Sequence, residues 1–314
     1  MKTIHRALGY LALAPALLPL VYVQGFLYPY MAPKTFLFRG IGVLVLAAFI
    51  FAVLTNYPLY WDRLRQKITW VPLALLAVAY ALSLFGIDFY RSFWSTFDRG
   101  DGLLTLTSVV LLFYSTLLTA DMTFLRRLST LSFWIGGISA LYLLLQWVQA
   151  HTGMDFPLIE EPRGRYGATF GNAAFFASYI AMTFFLTLAA VREYRGKWRS
   201  LVYVSAGAQL CAIFLAATRG TILALLFAAA STAVYFAWKG SGSLRTYARG
   251  ALAFGVVVVL LVFIFRAQLA NAPIEPVRRI ATISLTDGTV SSRLFLWAKI
   301  GTEALRAPFF GYWA

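Results

Sequence analysis

Apolar residues run along this chain in long blocks, and charged residues fall almost wholly between the blocks. A helix needs about 20 such residues to cross the hydrocarbon layer of a membrane. Buried strands of a soluble α/β core would show apolar runs of about 4–8 residues instead. The pattern predicts spans over residues 7–28, 36–55, 71–87, 102–120, 129–150, 172–191, 200–217, 220–238 and 251–269. Lys2, His5 and Arg6 give the first block a basic start. Its apolar stretch is longer than the roughly 7–15 residues of a signal-peptide core, so it reads as a retained helix. With no linker, low-complexity tract or internal repeat, the fold class is read as all-α, a polytopic transmembrane helical bundle of about nine spans over residues 1–270.

The remainder, 271–314, is less apolar. Within it SSRLFLWAKIGTEAL (291–305) places Leu294, Trp297, Ile300 and Leu305 on one helical face, with Ser291 or Ser292 as a cap. The spacing predicts an amphipathic helix that lies on the membrane or packs on the bundle. Asp287-Gly288 before it is a turn signal. The end, PFFGYWA, carries no polar residues, and the chain is expected to be the N-terminal part of a longer protein.

Composition sharpens the membrane reading: 61% of residues are hydrophobic and 12% charged, against about 25% charged in soluble domains. The net charge of +15, spread over short loops, reads as topology signal and lipid-headgroup attraction rather than nucleic-acid binding. With the N-terminus cytoplasmic, the inside segments hold 14 Lys and Arg, the outside loops seven, and six lie from Arg266 onward. That imbalance sets the N-terminus inside and the tail outside. Asp88, Asp98, Asp101, Asp155, Glu160 and Glu161 all lie in outside loops. The outer face therefore mixes both signs, as a polar site or as ordinary solvated loops. Cys211 stands alone and can form no disulfide within the chain. His5 and His151 are too far apart for a His-rich metal site, so neither metal nor cofactor is expected.

Arginine beside a span is costly to desolvate unless something holds it. Arg219, in ATRGT between two apolar blocks, must lie at the membrane boundary. It reads either as an anion clamp or as a snorkelling residue in a hairpin turn. Arg163 and Arg165 lie in RGRYGATFGNAAFFASY, a Gly-rich run leading into the sixth span with Asn172 as a helix cap. Backbone N–H groups at that helix start, with these guanidinium groups, suit a phosphate. Arg99 stands among Phe93, Trp94 and Phe97, as part of a site or of an aromatic belt. Lys34 and Arg39 flank the second span, where Arg39 can simply snorkel. His151 reads as a loop histidine of no special role.

Five of these segments together carry a resemblance. RGRYGATFGNAAFFASYIAM resembles the R-x-x-G-T-F-G-N-x-x-x-x-A-x-Y stretch of the O-antigen ligase family. ATRGTILALLFA is similar to its [ST]-R-[GA] turn, and SSRLFLWAKIGTEALRAPFFGYW to its S-R-x-x-x-W…P-x-x-G element before a large outer loop. LYPYMAPKTFLFR and FYRSFWSTFDRGDGLL resemble early loops of a bacterial branch. Pro308 and Gly311 are followed by Trp313, where the family often has a second glycine.

The resemblance implies a GT-C-like membrane glycosyltransferase at the periplasmic face of the bacterial inner membrane. The donor it implies is a glycan on a polyprenyl diphosphate, and the acceptor a glycan, lipid or protein hydroxyl. Arg165, Arg219 and Arg293 match the family's diphosphate-binding arginines, with Arg99 and Lys34 as further candidates from the early loops. The family's loop histidine has no counterpart, so no catalytic residue is assigned, and this piece alone is expected to be inactive. Displacing a lipid diphosphate builds negative charge on the leaving oxygen, which cationic side chains or a metal must stabilise. Arginines stay charged and bind phosphate in bidentate fashion. A polysaccharide polymerase shares donor and fold. A transporter, such as a bicarbonate-uptake protein, is the reading from another class. It would place ionisable residues in mid-span or interrupt its spans with Gly or Pro, whereas the predicted spans have almost no interior charge.

Overall fold

The computed structural model describes residues 2–86, 88–161, 164–282 and 288–306. Among them all regular structure is helical: α1 Lys2–Leu13, α2 Ala32–Leu64, α3 Trp70–Leu84, α4 Phe89–Trp94, α5 Leu103–Thr119, α6 Met122–Thr152, α7 Ala173–Ala190, α8 Gly196–Leu215, α9 Arg219–Lys239, α10 Gly242–Ile264, α11 Arg266–Leu269, α12 Glu275–Ala281 and α13 Gly288–Arg306. Seven of the described helical segments are long and apolar enough to cross a membrane: Ala32–Thr55, Lys67–Leu84, Met122–Thr152, Ala173–Ala190, Gly196–Leu215, Arg219–Lys239 and Gly242–Ile264. A helix satisfies its own backbone hydrogen bonds, which lipid cannot do. The chain is a multi-pass helical membrane protein.

Three elements differ from the sequence expectation. The first block is not one helix. α1 has 12 residues, about 18 Å, and gives way to a 3₁₀ segment, Ala14–Leu20, at Pro15 and Pro19. Proline lacks the N–H an α-helix would use there. The fourth block forms α5, whose 17 residues sit at the lower limit for a crossing. α10 begins at Gly242, nine residues before the apolar stretch, and takes in Arg245 and Arg249. The Arg245 Nε–H donates to the Ala237 carbonyl at 3.1 Å, satisfying an orphan carbonyl at the end of α9.

The chain forms two compact units. The first comprises residues 1–135, 189–195 and 294–314, the second 136–188 and 196–293. In the first, α2 and α5 lie side by side, and two arginines of α2 hold the ends of α5. Arg39 donates to Thr105 Oγ1 at 2.9 Å, to the Trp94 carbonyl at 2.8 Å and to the Gly100 carbonyl at 3.4 Å. Arg63 donates to the Leu117 and Leu118 carbonyls, both at 2.9 Å. The two arginines are 24 positions apart on α2, about 36 Å along a helix. That slightly exceeds the hydrocarbon thickness of about 30 Å, so each guanidinium reaches a polar level at its own end. Leu8, Ala52, Tyr60 and Leu118 form the buried core beneath them.

The second unit packs α7 and α8 on the latter half of α6. Leu143, Phe176, Ile180 and Ile213 fill its core with small residues between them. A polar layer crosses this core. Gln209 is fully buried and donates to Thr187 Oγ1 at 2.9 Å and Ser205 Oγ at 3.2 Å, while Thr183 donates to its Oε1 at 3.3 Å. Gly136 and Gly137 make room for the layer. A Cβ on Gly136 would stand 2.9 Å from Gln209 Nε2, and one on Gly137 2.5 Å from Ser205 Oγ. Small residues and buried amides or hydroxyls are what bind helices together in lipid.

The expected amphipathic helix is α13, which starts at Gly288, so Ser291 and Ser292 lie inside it rather than capping it. Leu294, Trp297, Ile300 and Leu305 are all exposed. That face is therefore not packed on the described residues, and lipid is the environment that suits it. The expected turn residue Asp287, together with Pro308 and Gly311, lies outside the described residues.

Candidate functional site

The site grows from the loop that enters α7. Three side chains of α6 tie that loop down. Gln146 donates to the Glu160 carbonyl at 2.9 Å and accepts from the Ala168 N–H at 3.0 Å. Tyr142 accepts from the Glu160 N–H at 3.0 Å, and Gln149 from the Phe156 N–H at 3.2 Å. Each satisfies a backbone group that would otherwise lie unpaired at the membrane boundary. The glycines of the run then become intelligible. Gly171 takes a left-handed φ of 64°, which costs glycine nothing. Gly167 packs so closely on the start of α7 that a Cβ there would meet Asn172 N at 2.7 Å.

Asn172 caps α7 as expected, its Oδ1 accepting from the Ala174 N–H at 2.8 Å. Of the backbone N–H groups expected to suit a phosphate at this helix start, the one of Ala174 is taken by the Asn172 side chain, and Gly167 lies close against the Asn172 backbone. Arg163 lies outside the described residues. What the loop offers is the Arg165 side chain.

The turn between α8 and α9 meets the same end of the unit. Ala217 adopts φ of 50°, and the Thr218 hydroxyl donates to the Ala173 carbonyl at 3.2 Å, so the turn rests on the start of α7. From it Arg219 reaches α12. Its Nε–H donates to the Arg279 carbonyl and its Nη2 to Thr282 Oγ1, both at 2.9 Å. Arg266 likewise donates to the Ala281 carbonyl at 2.9 Å. Both guanidinium groups therefore sit at the negative end of α12, where carbonyls are unpaired and cations are favoured. Arg279 itself pairs with Glu275 one turn back, at 3.0 Å.

Arg165 completes the group. Burial holds its pKa below the ordinary guanidinium value. Neighbouring Arg279 pushes it the same way, and Glu275 opposes them. Arginine remains charged throughout, so the direction reports first the burial of the guanidinium and second its nearness to Arg279, not loss of a proton. Beside it, burial and Glu275 raise the Tyr166 phenol above its usual pKa. Arg165, Arg219, Arg266 and Arg279 thus converge around one short helix that carries one carboxylate, Glu275. Arg266, Glu275 and Arg279 were missing from the sequence-based candidates. The signal for Glu275 and Arg279 was the helix start in PIEPVRRIA, with Glu275 and Pro276 at its beginning and two arginines in its last turn; Arg266 lies outside that run.

An apolar groove begins just below this cluster. Its volume is about 1120 Å³, and Trp147, Leu215, Ile222, Leu226 and Phe236 are among its walls. Ile222 is the residue one helical turn after Arg219, so charge and groove are consecutive features of α9. His151, at the end of α6, bonds the Trp147 carbonyl at 2.9 Å and stacks on the Trp147 ring at 4.5 Å.

The other sequence candidates are placed elsewhere. Lys34 and Arg99 belong to the first unit, Lys34 half-buried in the first turn of α2 and Arg99 exposed beside Gly100. Arg39 lines a small cavity with Phe36, Tyr90, Trp94 and Phe97, and its guanidinium is bonded to Thr105 and the carbonyls described above. Arg293 lies in the first turns of α13 and is exposed. Of the five expected diphosphate ligands, the structure brings Arg165 and Arg219 to one helix. In comparison with known proteins, no family model, no curated protein and no solved structure matches the chain.

Proposed function

We propose that the chain is a membrane glycosyltransferase of the O-antigen ligase or polymerase type. In this reading it is GT-C-like, with about nine crossings, and lies in a bacterial inner membrane with the cluster at the outer face. It transfers a glycan from a polyprenyl diphosphate to an acceptor hydroxyl. The observation that carries the reading is the convergence of Arg165, Arg219, Arg266 and Arg279 around Glu275 at one end of a lipid-embedded unit. Like charges this crowded repel, and a doubly charged phosphate group entering among them relieves the repulsion. The groove that starts at Ile222 suits the apolar chain attached to such a headgroup.

The chemistry follows. The acceptor oxygen attacks the anomeric carbon and forms the new glycosidic bond. The bond from that carbon to the diphosphate oxygen breaks, and the electron pair leaves with the diphosphate. Guanidinium groups preorganised around that oxygen stabilise its charge, an effect worth about 10²–10³ in rate for a single well-placed donor. The acceptor proton passes to a base that is not assigned among the described residues. The uncharged Gln209 layer, whose groups bond one another, supports packing rather than the ionisable path a transporter needs.

The test is Arg219→Ala in the full-length protein, read in a strain whose finished surface glycan depends on it. Glycan should fall at least about 100-fold, with insertion unchanged by protease mapping. Undiminished glycan would remove Arg219 from the chemistry.

A further inference from the structure

A second cationic site lies in the first unit, at the Met122 end of α6. There α1 and the 3₁₀ segment after it leave a cavity of about 510 Å³ against α6. The volume falls within the about 300–1,000 Å³ typical of ligand sites. Leu13, Leu17 and Leu131 line the apolar part, and Arg126, Arg127 and Glu193 the polar rim. The Arg127 guanidinium lies 4.8 Å from the centre of the Tyr10 ring, which holds it over the cavity by cation–π attraction. Arg126 pairs with Glu193 at 3.3 Å, and its side chain is 64% exposed. The rim therefore carries two positive charges and one negative one, at the boundary between a polar loop and an apolar cleft.

We propose that this cleft binds an anionic phospholipid, its phosphate between Arg126 and Arg127 and an acyl chain on Leu13, Leu17 and Leu131. The break at Pro15 and Pro19 shapes the site: where α1 gives way to the 3₁₀ segment, Leu13, Ala14 and Leu17 together line the cleft. Charge complementarity selects the occupant. A zwitterionic lipid fills the apolar part equally well, but the ammonium beside its phosphate is repelled by the two guanidinium groups, whereas an anionic headgroup carries no such charge. Basic pockets between membrane helices take anionic headgroups for this reason. Glu193 acts as a competitor for Arg126, setting how strongly the headgroup is held.

The experiment uses the full chain in phosphatidylcholine nanodiscs doped with phosphatidylglycerol, with retained lipid counted by native mass spectrometry after extraction into detergent. The wild type should retain phosphatidylglycerol in preference to phosphatidylcholine. Arg127→Gln should cut that preference about five-fold, the effect of one surface cation on an anionic lipid. Glu193→Gln should raise it, a gain that misfolding cannot imitate. Inorganic phosphate should not displace the lipid, because it offers nothing to the apolar floor. Equal retention of the two lipids, an unchanged preference in Glu193→Gln, or displacement by phosphate alone would each overturn the proposal. If Arg127→Gln fails to insert, the Glu193→Gln result decides.

Discussion

The arginines of the two units look alike in the sequence and differ in what surrounds them. In the first unit, Arg39 and Arg63 are single cations on opposite ends of α2: Arg39 bonds Thr105 Oγ1 in the first turn of α5 and the Trp94 and Gly100 carbonyls before it, and Arg63 bonds the last carbonyls of α5. Among the described residues no carboxylate or second guanidinium shares either set of bonds. Their work is mechanical: they satisfy orphan carbonyls and fix α5 against α2. In the second unit, Arg219 and Arg266 also bond carbonyls, at the end of α12. There, however, Arg165 and Arg279 stand in the same field. An arginine beside a membrane span is thus not in itself a site. In the proposed reading it becomes one where the fold gathers more cations than carboxylates around it.

The difference can be broken most directly by making the same substitution in both units. Arg219→Ala should lower glycan transfer at least about 100-fold. Arg39→Ala should leave transfer within a few-fold, while lowering resistance to unfolding by about 1.5–3 kcal/mol, as expected for a charged hydrogen bond lost at a helix end. Transfer assays on membranes and thermal unfolding of the purified protein read the two effects separately. Equal losses of transfer would erase the distinction between clamp and site.

That distinction was only half legible in the sequence. Arg219 and Arg165 were visible because a charge between two apolar blocks, or beside glycines and Asn172, is locally conspicuous. Their convergence was not visible, because it depends on α12, 60 residues beyond Arg219. Arg266 and Arg279 sit in a stretch whose apolar periodicity is weak, and nothing local distinguishes them from Arg278, which is exposed. The spans were legible wherever composition alone decides, as in α7 and α9. They were misread where a proline overrides it: Pro15 and Pro19 end α1 within an unbroken apolar block. The cap at Asn172 was a local matter and was read correctly. The close approach of Gly167 to the Asn172 backbone was not, because the pattern of glycines says that the backbone comes close to something without saying to what.

Gly167 supplies a smaller and sharper test, since it alters the site without altering a charge. In Gly167→Ala the new Cβ would stand 2.7 Å from Asn172 N and 2.9 Å from Asn172 C, both backbone atoms that cannot swing aside. The loop must move, at a cost of about 1–3 kcal/mol, and Arg165 moves with it. Transfer should fall toward the level of Arg165→Ala, with unfolding shifted to lower temperature. If transfer survives intact, the cluster tolerates displacement of Arg165, and only Arg219, Arg266 and Arg279 belong to it.

The mildest perturbation uses Tyr166 as a reporter of the carboxylate among these cations. Burial raises its phenol pKa, and the negative charge of Glu275 raises it further. A phenol whose folded pKa lies above its unfolded value of about 10 favours the folded state while pH stays below that value. It loses the contribution as pH climbs through the folded pKa. With the ring carbons of tyrosine labelled and Tyr166→Phe used to assign the signal, an alkaline NMR titration should show Tyr166 ionising later than an exposed tyrosine. Glu275→Gln should bring its midpoint part of the way back and leave the burial contribution in place. The same variant removes the partner of Arg279 and makes the cluster more positive, so added pyrophosphate should protect it from unfolding more than it protects the wild type. If Glu275→Gln moves neither the Tyr166 midpoint nor the pyrophosphate effect, the charges at this end act independently. The second unit's arginines would then be single clamps like those of the first.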